Sequence, residues 1–64
     1  MKPQTYQEVE RRLKEVGFAV DRSSGSHFIW RNASTGKTAV VPHHNRPLPI
    51  GTLLAIYRQS GICP

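Results

Sequence analysis

Apolar positions along this chain recur first at helical and then at strand intervals. Tyr6, Val9, Leu13 and Val16 follow one another at steps of three, four and three, which lines one face of a helix. Thr5 and Glu8 ahead of that stripe match a capping box, in which hydroxyl and carboxylate satisfy free backbone N–H groups at a helix start. Gly17 offers the left-handed stop. The spacing predicts a first helix over about Tyr6–Val16, with Glu8, Arg11, Arg12 and Glu15 toward water.

Phe18–Arg22 is short and half apolar, and Ser23–Ser26 after it is a turn by composition. His27–Arg31 is rich in aromatic and branched residues, and Asn32–Gly36 is a second turn. Lys37–Val41 reads as a third strand, ended by Pro42, which has no N–H for a ladder. Three short strands with tight connections predict an antiparallel meander. The loop Pro42–Leu48 is stiffened by two prolines, and Pro49 suits the first position of a second helix. There Ile50, Leu53, Leu54 and Tyr57 repeat at helical spacing, widened by Ile56, until Gly61. Gly51 near its start is either tolerated in a first turn or wanted for close packing. The expected fold class is α+β: a three-stranded antiparallel sheet with both helices on one face, in one domain over residues 1–64.

Charge sharpens this picture. Nine Lys and Arg against four Asp and Glu give +5 on 64 residues, which makes a polyanion the first partner to consider. The acids sit early, at Glu8, Glu10, Glu15 and Asp21, while Arg22, Arg31, Lys37, Arg46 and Arg58 follow with no carboxylate side chain among them. A domain this small buries only a modest core, so a deep enclosed active site is not expected. One cysteine, Cys63, allows neither an internal disulfide nor a Cys-x-x-Cys metal pair, which suits a reducing cytoplasm. No stretch reads as a signal peptide or a membrane span.

The candidate chemistry gathers at Gly25-Ser26-His27, where an imidazole able to exchange a proton near neutral pH stands at the mouth of a strand. By the two-residue period His27, Ile29 and Arg31 share one strand face, and Phe28 and Trp30 the other. If the aromatics meet the helices, His27 and Arg31 lie on the open face. Gly25 would let a phosphate approach the backbone and Ser26 would bond to it; an ordinary turn is the plain alternative. Arg22, Arg31, Lys37 and Arg46 are candidate phosphate contacts or simply solvated charges. Phe28 and Trp30 suit base stacking or, better in so small a domain, the core, as do Tyr6 and Tyr57. His43 and His44 do not suggest a metal site, because adjacent residues of extended chain point apart and no carboxylate or cysteine stands near them in sequence. His44 is the better of the two for a second functional group, by phosphate contact or general acid; a hydrogen bond within the loop is the other reading.

Taken in order, Val16-Gly17-Phe18, Arg22 through Gly25-Ser26-His27, Val41-Pro42 with His44 behind it, Leu48 to Gly51-Thr52-Leu53-Leu54, Ile56 and Gly61-Ile62 resemble a HicA-type toxin over nearly the whole chain. The resemblance implies an α-β-β-β-α fold like that of double-stranded-RNA-binding domains, and an mRNA interferase that cuts without a metal. It also implies a catalytic histidine at His27 and a HicB-like antitoxin that covers it. Family members often carry a lysine-rich segment before the second helix, whereas Asn45-Arg46-Pro47-Leu48-Pro49 has a single cation. The rival expectations are a non-catalytic RNA-binding module of the same fold and a protein-interaction domain for an acidic partner.

Overall fold

The computed structural model describes residues 2–43 and 45–62. Its elements run α1 (Tyr6–Glu15), β1 (Phe18–Ser24), β2 (His27–Asn32), β3 (Thr38–Pro42) and α2 (Ile50–Ser60), which is the expected α+β order. At the start of α1 the Glu8 N–H donates to Thr5 Oγ1 and the Thr5 N–H to Glu8 Oε1, both at 3.2 Å. Both halves of the capping box are therefore formed. Gly17, at φ 101°, turns the chain out of the helix. Tyr6, Val9 and Leu13 are buried, but Val16 is 45% exposed and stands outside the core.

The second helix differs from expectation in three details. Pro49, at φ −61°, is its N-cap rather than its first residue. Its buried face is Leu53, Ile56, Tyr57 and Ser60, while Ile50 and Leu54 point outward at 40% and 42% exposure. Two overlapping stripes of helical spacing share Leu53 and Tyr57, and the one that runs through Ile56 and Ser60 wins. The Tyr57 hydroxyl donates to the half-buried Gln4 Oε1, and the Ser60 hydroxyl is satisfied by the Tyr57 carbonyl at 3.3 Å. Gly51 is not needed for packing, since a Cβ there would meet nothing within 4 Å.

The sheet order is β1-β2-β3, antiparallel throughout. The first hairpin is tighter than composition suggests. Ser23 and Ser24 pair with Phe28 and His27, so the loop is only Gly25-Ser26, with φ +58° at Gly25. Positive φ at the first of two loop residues suits the twist of a hairpin and is easy for glycine. Pro42 pairs with His27 and so belongs to β3. Edge strands tolerate proline when its nitrogen faces away from the neighbour. The N–H of Val40, two residues earlier and so on the same edge, does face away, and donates to Gln59 Oε1 of α2 at 3.0 Å.

Phe18, Trp30, Ala39 and Val41 form the helix-facing side of the sheet and share one core with Tyr6, Val9, Leu13, Leu48, Leu53, Ile56 and Tyr57. Helix α1 packs on β1 and α2 on β3, with Trp30 of the central strand fully buried between them. The opposite side carries Ala19, His27, Arg31, Thr38 and Val40, all exposed. One face of the sheet is thus left open, as the alternation in β2 predicts.

Candidate functional site

His27 begins β2 on the open face, between Ser24 of β1 and Pro42 of β3. Its backbone position is fixed from both sides. The Gly25-Ser26 turn precedes it, and the Ser26 carbonyl accepts the His43 N–H at 2.6 Å, which ties the end of β3 to the turn. The imidazole itself is exposed.

Arg22 is the cation nearest to this histidine in the sheet register. It pairs with Ile29, and direct cross-strand partners share a face, so Arg22 lies diagonal to both His27 and Arg31 on the open side. Simple alternation from the buried Phe18 would have turned Arg22 toward the helices. A β-bulge between Val20 and Arg22 absorbs Asp21 as an extra residue and restores the open-face orientation. Arg31 shares the face but stands four residues along β2, roughly 13 Å from His27 at strand rise. Gly25, Ser26, Arg22 and His27 are brought together; Arg31 is a more distant member of the same surface.

Lys37 lies elsewhere. It follows the turn at the far end of β2, and its amine rests against Gly61 at the C-terminus of α2, the negative end of the helix dipole. Arg46 is in the loop after β3 and lines a cleft with Pro42, His27's cross-strand partner. His44 and Cys63 lie outside the described residues. Among the described residues no group of three or more His, Cys, Asp and Glu could hold a metal ion. None of the described helices is long and apolar enough to cross a membrane.

Two residues carry more of the architecture than the sequence suggests. The His43 ring stacks on Phe28, with centroids 5.3 Å apart and planes at 13°, and meets Tyr6 edge-on at 4.4 Å. These contacts anchor the residue whose N–H holds the turn. At the other end of β2, Asn32 is buried at 7% exposure and joins three segments. Its Nδ2 donates to the Val16 carbonyl at 3.0 Å, and its Oδ1 accepts from the N–H groups of Ser34 at 2.9 Å and Thr35 at 3.4 Å. Asn at a turn start is the local signal for the Oδ1 bonds. The bond to Val16, sixteen residues away, has no local signal.

Beneath the hairpin end, the buried Tyr6 hydroxyl and Trp30 indole N–H have no hydrogen bond of good geometry among the described residues. Burial, reinforced by the Glu10 carboxylate, raises the Tyr6 pKa above 10.0, and the nearby Trp30 N–H opposes the rise without cancelling it. Phe28 meets Tyr6 edge-on at 5.8 Å and is half-buried, so both β2 aromatics face the helices.

A family model, described as the HicA toxin of bacterial toxin-antitoxin, matches residues 6–62, from the first residue of α1 to just beyond α2. No curated protein matches the chain.

Proposed function

The chain belongs to the HicA toxin family, the toxin half of a toxin–antitoxin pair, and from that premise we propose that it is a metal-independent mRNA endoribonuclease with His27 as its proton-transfer group. The observation that carries the proposal is an exposed imidazole on the uncovered sheet face, with Arg22 diagonal to it and a backbone turn without bulk beside it. RNA brings its own nucleophile. His27 takes the proton of a 2′-hydroxyl, the 2′-oxygen attacks the adjoining phosphorus, and the bond to the 5′-oxygen breaks. Arg22 offsets negative charge on the phosphate, Gly25 and Ser26 give it room and a hydrogen bond, and in so open a site solvent water gives the leaving 5′-oxygen its proton. General acid–base help of this kind is worth about 10²- to 10⁴-fold, which makes a modest enzyme.

Arg31 and Arg46 complete the candidate cationic surface, which sets affinity and position on RNA rather than base preference, while Lys37 stands apart from it with its amine at the C-terminus of α2. An antitoxin of the HicB type is the proposed protein partner. The open face suits it: Ile29 and Val40 form an apolar centre flanked by Arg22 and Arg31, complementary to a partner segment with apolar and acidic side chains. The test is end-group analysis after digestion of a labelled mRNA in EDTA. The expected products carry 2′,3′-cyclic phosphate and 5′-hydroxyl ends. Products with 3′-hydroxyl and 5′-phosphate ends, or cutting only with added metal, would refute the mechanism.

A further inference from the structure

A cleft of about 570 Å³ opens beside the His27 end of the sheet, lined by Pro42, Asn45, Arg46, Pro47, Leu48, Pro49 and Thr52. That size is in the range of small-molecule sites. Its floor is held rigidly: Leu48 is fully buried, and its N–H donates to the Gln4 carbonyl at 2.6 Å, which pins the loop to the segment before α1. Pro42 and His27 are direct cross-strand partners, so Pro42 brings one wall of the cleft to the strand end that carries the histidine, while Leu48, and Thr52 of α2, extend it toward the helix side. The lining combines flat proline walls, the amide of Asn45, the hydroxyl of Thr52 and one guanidinium, with no carboxylate. None of these three polar side chains is used by the fold in the way that Asn32 is.

Resting on the ribonuclease reading above, we infer that this cleft is a base-reading subsite for the nucleotide next to the scissile phosphate. The nucleobase lies against the prolines, Asn45 and Thr52 hydrogen-bond its edge, and Arg46 holds the adjoining phosphate. An unpaired base offers both a flat face and an unshielded edge, which is how single-stranded RNA is read by sequence. A side-chain amide presents a donor and an acceptor together and so discriminates among base edges, whereas a guanidinium on a phosphate does not. Base preference should therefore depend on Asn45 and Thr52, and overall affinity on Arg46.

The test uses binding, so that it stands apart from catalysis. Four 2′-O-methylated homotetranucleotides, which lack the nucleophile, are titrated into the isotope-labelled protein and followed by amide NMR. One base is expected to bind about tenfold more tightly than the weakest, with the largest shifts in residues 45–52. Asn45→Ala or Thr52→Val should shrink that ratio to within about threefold, and Arg46→Gln should weaken all four alike, in variants whose spectra stay folded. Equal binding of the four by the wild type, a preference that survives both substitutions, or no binding at all would overturn the subsite. Base-dependent binding by a protein that cuts no mRNA would leave the subsite standing and remove the ribonuclease reading instead.

Discussion

The two ends of strand β2 carry side chains of similar polarity and treat them in opposite ways. At its start His27 is exposed, and what holds it is backbone: a two-residue turn, two flanking strands and the N–H of His43. At its end Asn32 is buried and fully engaged, joining the end of α1 to the β2–β3 turn through three hydrogen bonds. Five residues, roughly 16 Å of strand, separate a group available to a ligand from a group consumed by the fold. A polar residue on this sheet is a candidate for chemistry when the structure positions its backbone and leaves its side chain free.

Removing side chains at the two ends should therefore have opposite signatures. Asn32→Ala strands the Val16 carbonyl and the Ser34 N–H and is expected to cost about 1–3 kcal/mol in urea unfolding. RNA cleavage per folded molecule should be unchanged; a loss of cleavage without loss of stability would erase the distinction between the ends. The charges sharpen it next. Arg22→Gln, on the His27 face, should weaken RNA binding and lower the slope of log K against log salt by about one, whereas Lys37→Gln should do neither, because its amine serves the C-terminus of α2. Equal effects would mean that the RNA surface runs the length of the sheet.

The hairpin end is also less complete beneath. The Tyr6 hydroxyl, buried without a good partner, has a raised pKa. Its unfolded phenol ionises first as pH rises through about 10, so the stability linked to its neutral form is full below that value and is lost above it. Tyr6→Phe should leave stability near pH 7 the same or slightly higher and flatten the alkaline fall seen by thermal melting. A loss of more than about 1 kcal/mol at pH 7 would show that the hydroxyl is bonded after all.

Much of the fold was legible because its signals are local. The capping box at Thr5 and Glu8, the alternation through His27–Arg31 and the glycines at 17, 25 and 61 each act within a few residues. The errors came where tertiary packing chose between equal local patterns. Two helical stripes overlap in α2, and contacts with Gln4 and β3 select the one that leaves Ile50 and Leu54 outside. The bulge at Asp21 likewise cannot be read from a strand in isolation, yet it decides which face Arg22 takes. Of the candidate site, Gly25, Ser26, His27 and Arg22 assemble as one group, while Arg31 and Lys37 lie progressively farther away. His43 lies in the loop as expected, but its stacking on Phe28 joins residues fifteen apart and has no local signal.

Labelled mRNA incubated in EDTA with the wild type, His27→Ala and Asn32→Ala, at equal concentrations of folded protein, separates a catalytic His27 from a merely structural one. Cutting is expected from the wild type and Asn32→Ala, with a loss of about 10²-fold or more in His27→Ala and no change in its melting temperature. Equal cutting by all three proteins, or RNA binding without cutting by the wild type, would contradict it.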